Sequence, residues 1–201
     1  PVLAAATFNL LLCFLNTRGL AVSVLHIELV ELAIIGTALF IGRRIVVEQM
    51  LIVLIFLLAY LCTLWLFSEQ VDMKIVRDLL IPFAFVALGR SVADPEDGDR
   101  VVYVLLLLVF AVSLFEWLSL ATFLRYFDVI TYYVNKGAVE IAQTSYLQNH
   151  LFVSGMRPEG RALFPALGDH RVSSIFLEPV SAGNFAAVSY THLRAHETGR
   201  N

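Results

Sequence analysis

Long apolar runs separated by short polar loops dominate the first 123 residues of the chain. A membrane-spanning helix needs about 20 apolar residues, and only helices satisfy their own backbone hydrogen bonds in lipid. The runs are too continuous for the alternating pattern of a membrane β-barrel. The pattern therefore predicts five transmembrane helices, at about 2–15, 20–41, 50–67, 75–88 and 101–123. Pro82 leaves open whether the short fourth helix is tilted, kinked or re-entrant.

The rest of the chain reads as a long extramembrane segment, 124–182, and the start of a further transmembrane helix, 183–188. The first apolar run is short and lacks a basic leader region, so we expect a helix whose beginning is missing. The tail, 189–201, contains VSYTHLRAHET, which resembles a translated sequencing adapter, and we expect it to be non-native. His192 and His196 have the i,i+4 spacing of metal ligands, but they fall in this tail and predict no metal site.

Composition agrees with a membrane protein. Of the 201 residues, 59% are hydrophobic and 15% are charged, against about 45–50% and about 25% in soluble domains. Such a chain has too little polar surface for a soluble fold and too many large apolar residues for disorder. Cys13 and Cys62 lie in apolar runs, which excludes a disulfide scaffold, and the net charge of -3 gives no sign of nucleic acid. We predict an all-α, polytopic transmembrane bundle with one long external loop, truncated by the ends of this chain.

The loops between the helices set the predicted orientation. Counted in order, the first four loops carry one, two, one and two Lys and Arg residues. Basic residues favour the cytoplasmic side, so the second and fourth loops are assigned there. The N-terminus is then cytoplasmic and the 124–182 segment lies outside.

Three glutamates fall within the predicted helices. Glu28 and Glu31 share one face of the second helix, and Glu116 lies in the fifth. Helix rise places them about 12, 16 and 10 Å from the outer ends of their helices. A charge at this depth costs at least about 2.5–3.5 kcal/mol on insertion scales, which marks a candidate functional site. Two interpretations remain open, a cavity beneath the external loop or polar contacts between helices.

The external segment concentrates arginine. Arg157, Arg161 and Arg171 lie close together in the sequence, whereas lysine is nearly absent from the chain. The planar guanidinium binds phosphate oxygens in a bidentate manner, so three of them near a membrane suit a pyrophosphate or a lipid headgroup. Composition alone also allows a solvated loop with incidental charge.

The same segment carries the pattern R-x-x-S-x-F-x-E-P-x-x-x-G-N-F, just before an apolar helix. Its positions are Arg171, Ser174, Phe176, Glu178, Pro179, Gly183, Asn184 and Phe185. This resembles the major external loop of bacterial polysaccharide polymerases and O-antigen ligases, closely over 157–188 and by hydropathy elsewhere. Members of that family have ten or more helices, where this chain shows about five.

The resemblance implies a multi-pass glycosyltransferase of the bacterial cytoplasmic membrane that polymerises polyprenyl-pyrophosphate-linked glycan units at the outer face. It implies no nucleotide sugar, metal or other cofactor, and it admits a chain-length regulator protein as a partner. Arg157, Arg161 and Arg171 would bind the pyrophosphate. Glu178 or His170 would orient or deprotonate the acceptor hydroxyl. Alternatively, Glu178 orders the loop by pairing with Arg171, and His170 is an exposed loop residue. The fragment alone is expected to be inactive.

Other functions remain open on the sequence. A ligase of the same class would attach finished glycan to a lipid or protein. A transporter would line an ion or proton path with Glu28, Glu31 and Glu116. A non-catalytic membrane scaffold is a third alternative.

Overall fold

The computed structural model describes residues 1–43, 48–67, 73–92, 94–138, 155 and 170–198. Within these ranges every regular element is helical, as the sequence predicts. The order is α1 (Val2–Thr17), α2 (Val24–Gly42), α3 (Glu48–Phe67), α4 (Met73–Ser91), α5 (Pro95–Leu118), α6 (Leu120–Tyr126), α7 (Val129–Asn135), a 3-10 turn (Ser174–Phe176) and α8 (Pro179–Thr198).

Two of the described helices, Val24–Gly42 and Glu96–Leu118, are long and apolar enough to cross a membrane. Only 17% and 11% of their most apolar windows are buried, so neither resembles the core helix of a soluble domain. The large apolar side chains of α3 are also exposed, including Phe56, Trp65 and Phe67. Val2–Thr17 and Leu51–Phe67 are shorter apolar helices.

Helix boundaries differ from the apolar runs because polar capping residues set them. The fifth run predicts 101–123, but α5 begins at Pro95 and ends at Leu118. Asp94 Oδ1 accepts a hydrogen bond from the Glu96 amide at 2.9 Å, and proline suits the first helical position. The fourth run predicts 75–88, whereas α4 is longer, with 19 residues from Met73 to Ser91. Pro82 lies inside α4 and does not end it.

In the described residues one helix continues from the predicted 183–188 segment into the predicted non-native tail. α8 runs from Pro179 to Thr198 and covers both the predicted 183–188 segment and most of 189–201. The predicted extramembrane segment begins with helical structure, since α6 and α7 occupy 120–126 and 129–135. Gly137, at φ +71°, follows α7, and the Ala138 amide donates to the Tyr133 carbonyl oxygen at 3.0 Å.

The chain divides into two compact units. Unit 1 comprises residues 1–2 and 31–100, and unit 2 comprises 3–30 and 101–201. In unit 1, α2 packs on α4 through Ile35, Ala38, Ala84 and Leu88. Glu31, in the first half of α2, contacts Arg77, in the first half of α4. Gly42 lies against Ala87 near the end of both.

These contacts make α2 and α4 parallel neighbours. The two contacts are 11 positions apart along α2 and 10 positions apart along α4, about 16 and 15 Å of helix. Parallel neighbours need a connection that returns to the starting end. α3 has 20 residues, about 30 Å, and provides that return.

Unit 2 is built around α1 and α7. Its core contains Leu12, Cys13, Phe123, Tyr132 and Leu177. The Tyr132 hydroxyl donates to Asn9 Oδ1 at 2.7 Å, and Asn135 donates to Asn16 Oδ1 at 2.9 Å. The polar residues of α1 therefore fix the segment that follows α5.

Candidate functional site

The segment 170–178, which carries the first half of the loop pattern, is bound to α5 by Glu116. The Glu116 side chain is fully buried. The Ser173 amide donates to both carboxylate oxygens at 3.0 Å, and the Ser174 amide donates to Oε2 at 2.7 Å. The Ser173 hydroxyl adds a bond to Oε1 at 3.1 Å. Glu116 therefore satisfies two consecutive buried amides that no helix or sheet provides for.

Further contacts fix the same segment along α5. The Ser174 hydroxyl donates to the Val109 carbonyl oxygen at 2.8 Å. Ser174 and Leu177 adopt positive φ angles of 55° and 58°, which L residues seldom occupy. The side chains of Ile175 and Leu177 are fully buried, and Leu177 belongs to the core of unit 2. Apolar burial and the Glu116 contacts together hold this strained backbone in place.

Glu178 occupies the position just before α8. It precedes Pro179, the first helical residue, and its carbonyl oxygen accepts from the Ala182 amide at 3.2 Å. The Ser181 hydroxyl donates to its Oε2 at 3.0 Å. Burial raises the pKa of the nearby Tyr133 hydroxyl, and the negative charge of Glu178 raises it further. In the described ranges no ion pair joins Glu178 to Arg171, so the predicted alternative role of that pair in ordering the loop is not observed.

Arg171 is exposed beside the Glu116 contacts. Its amide donates to the Gly155 carbonyl oxygen at 2.7 Å, which ties two parts of the external segment together. His170 is half-buried next to it. Arg157 and Arg161 lie outside the described residues. The structure thus places His170, Arg171 and Glu178 on one short segment seated on α5.

The three predicted intramembrane glutamates have different surroundings. Glu116 is fully buried and contacts the amides of Ser173 and Ser174. It lies two residues before the end of α5, about 3 Å along the axis, instead of the predicted 10 Å. The distance is shorter because α5 ends at Leu118, whereas the apolar run continues to 123. Glu28 is exposed. Glu31 accepts a hydrogen bond from Arg77 Nη1 at 2.6 Å in unit 1.

Sequence reasoning missed Arg77 as the partner of Glu31. Arg77 also donates to Asp78 from Nε and Nη2, at 3.0 and 2.9 Å. The sequence did contain a sign of this pairing. Arg77 falls inside the fourth apolar run, and an arginine in such a run needs an acidic partner. Among the described residues no three His, Cys, Asp or Glu side chains group closely enough to hold a metal ion.

Comparisons of the chain with protein-family models, with curated proteins and with solved structures found no match.

Proposed function

We propose that this protein is a membrane-embedded glycosyltransferase that extends a surface polysaccharide from polyprenyl-pyrophosphate-linked glycan units. One observation carries the proposal. The segment with the polymerase-like pattern is seated on an apolar helix by Glu116, with Arg171 exposed beside it. A fixed segment can hold the Arg171 guanidinium in one position relative to a lipid-linked pyrophosphate, and such positioning lowers the barrier to transfer.

The proposed membrane arrangement has five crossings, α1 to α5, with the N-terminus in the bacterial cytoplasm. The parallel packing of α2 and α4, with α3 returning between them, supports consecutive crossings. The exposed apolar side chains of α3 support contact with lipid. The predicted loop charges place the end of α5, and therefore the 170–178 segment, on the outer face.

In this arrangement the 170–178 segment dips alongside α5 into the outer part of the bilayer. Val109, which accepts from Ser174, lies nine residues before the end of α5, about 13 Å along its axis. Irregular backbone at such depth is tolerated only where protein groups satisfy it. Glu116 serves that need, so its carboxylate supports a loop anchor in preference to an ion path.

The proposed chemistry is a single displacement at the sugar. The acceptor hydroxyl oxygen bonds to the anomeric carbon, and the bond from that carbon to the phosphate oxygen breaks. The hydroxyl proton passes to Glu178 or His170, and polyprenyl pyrophosphate leaves with the bonding electrons. Arg171, with Arg157 and Arg161, would stabilise the charge that develops on the leaving pyrophosphate.

Alanine substitution in the protein expressed from its full reading frame tests the proposal, with surface-polymer length as the measurement. We expect Arg171→Ala and Arg161→Ala to shorten or abolish the polymer. Arg125→Ala is the matched control, because Arg125 is exposed in α6 and lies outside the pattern.

Polymer of normal length from both Arg171→Ala and Arg161→Ala would rule out the arginine assignment. Loss of chain extension identifies a polymerase. Loss of attachment, with extension intact, identifies a ligase of the same chemical class.

A further inference from the structure

Arg18 lies at the end of α1, away from the 171–185 loop pattern. α1 ends in a Schellman motif, in which the Leu20 amide donates to Leu15 and the Gly19 amide donates to Asn16, both at 3.1 Å. Gly19 adopts φ +94°, which this motif requires. Arg18 is the last residue before that glycine, so its side chain leaves the helix at a fixed point.

Two aromatic rings frame the Arg18 guanidinium. Its central carbon lies 5.1 Å from the ring centroid of Phe14 and 5.3 Å from that of Tyr126. Cation–π contacts of this kind orient a guanidinium while leaving its N–H donors available. Arg18 is exposed, and no carboxylate lies within ion-pair distance of it in the described part of the chain.

The turn that carries Arg18 is anchored on both sides. Asn16 Oδ1 accepts from the Val22 amide at 3.3 Å as well as from Asn135. Thr17 Oγ1 accepts from the Asp128 amide at 2.9 Å. The turn that carries Arg18 is therefore held in place by polar contacts.

Exposed leucines flank Arg18 along the chain, since Leu11, Leu20 and Leu25 are each about 60% exposed. Asn16 and Thr17, just before Arg18, make the polar contacts. The same pairing recurs at the far end of α2, where Arg43 lies 4.1 Å over the Phe40 ring. α2 itself has 19 residues, about 28 Å, close to the thickness of the hydrocarbon core.

We propose that Arg18 binds the phosphate of an anionic membrane phospholipid. An arginine framed by aromatic rings at the edge of an apolar belt matches the headgroup level of a bilayer, where aromatic residues and arginine both concentrate. The fixed fork of donors suits a phosphate oxygen pair. The site requires that the helices span a membrane, and it is independent of glycosyl transfer.

The test titrates phosphatidylglycerol into the detergent-solubilised chain and follows the thermal unfolding midpoint. Arg18→Ala is compared with Arg18→Lys and with Arg125→Ala, a matched loss of one exposed arginine beside Tyr126. We expect Arg18→Ala to raise the half-saturating lipid concentration about fivefold, because a cation near an anionic surface contributes on the order of 1 kcal/mol. Arg18→Lys should lie between Arg18→Ala and wild type.

Titrations with phosphatidylcholine and with inorganic phosphate identify the source of the bound phosphate. Neither compound should reproduce the shift in the unfolding midpoint that phosphatidylglycerol produces. An equal shift with inorganic phosphate would overturn the lipid assignment. An unchanged titration in Arg18→Ala, or an equal loss in Arg125→Ala, would overturn the site itself. If Arg18→Ala fails to fold, the comparison of Arg18→Lys with Arg125→Ala gives the same decision.

Discussion

Glu116 shows how an isolated charge in an apolar helix gains its partners from distant sequence. Its position in a long apolar run marks it as costly and therefore as a residue with a specific role. Its partners are the amides of Ser173 and Ser174, 57 and 58 residues further along the chain. Every residue except proline carries an amide, so no side-chain pattern could point to these two. The sequence identifies the acceptor but not the donors.

Glu116→Gln is predicted to loosen the 171–177 segment without unfolding the helices. The amide side chain retains one acceptor oxygen and turns a donor group toward the Ser173 and Ser174 amides. An unsatisfied buried amide costs about 1–3 kcal/mol. Hydrogen exchange at Ser173 and Ser174 in detergent should therefore accelerate by roughly 10- to 100-fold.

Glu28→Gln is the control for this experiment. The substitution also removes one negative charge, but from a side chain that is exposed. Its exchange at Ser173 and Ser174 should match wild type. If Glu116→Gln leaves the exchange of both amides unchanged, the anchoring role of the carboxylate is wrong.

At the level of elements, apolar runs locate the helices, but caps and packing determine their ends. α5 starts six residues before its apolar run, because Asp94 and Pro95 form a favourable N-terminus in polar sequence. α8 starts at Pro179, although the sequence looks apolar only from Gly183. Hydropathy registers neither start, because residues 96–100 of α5 are charged or glycine and Ser181 interrupts the short apolar stretch that begins α8.

Gly42 is predicted to be indispensable for the contact between α2 and α4. A Cβ atom there would lie 2.9 Å from the Ala87 carbonyl carbon and 3.0 Å from its Cβ. The contact is with backbone, so α4 itself would have to move. Gly42→Ala should destabilise the chain by about 1–3 kcal/mol, and Gly42→Val by more.

Gly36→Ala is the matched control on the same helix, since a Cβ there meets nothing within 4 Å. It should be neutral or slightly stabilising, because alanine favours a helix over glycine. Thermal unfolding in detergent measures both variants. Equal midpoints for Gly42→Ala and Gly36→Ala would show that the helices do not pack closely at this position.

The stability effects of substituting Glu31 and Arg77 should be strongly coupled in a double-mutant cycle. Their side chains are only 13% and 27% exposed. Glu31→Leu leaves Arg77 with Asp78 alone, and we expect a loss of about 1–2 kcal/mol after allowing for partial exposure. The double variant Glu31→Leu/Arg77→Leu should recover most of that loss, because neither charge is then left in apolar surroundings. Additive losses, with unfolding midpoints as the measurement, would contradict a direct pairing.

At the scale of the whole molecule, composition and apolar runs are sufficient to predict an all-helical chain with helices long enough for a membrane. The pairing of helices is not predictable in this way. Parallel packing of α2 and α4 depends on Gly42 fitting against Ala87 and on Glu31 reaching Arg77, contacts across 45 and 46 residues of chain. For the candidate site, the pattern 171–185 identifies the segment, whereas its seat on α5 follows from backbone bonds that side-chain chemistry does not encode.

Glycosyl transfer by the full-length protein in vesicles tests the central claim most directly. The vesicles contain a polyprenyl-pyrophosphate-linked glycan as the only sugar donor, and the measurement is released polyprenyl pyrophosphate together with glycan growth. We predict turnover by wild type and by Arg125→Ala, with at least a roughly 100-fold slower rate in Arg171→Ala, the size of effect seen when a group stabilising transition-state charge is removed. No release by the folded wild-type protein, or equal rates with and without Arg171, would contradict the proposed function.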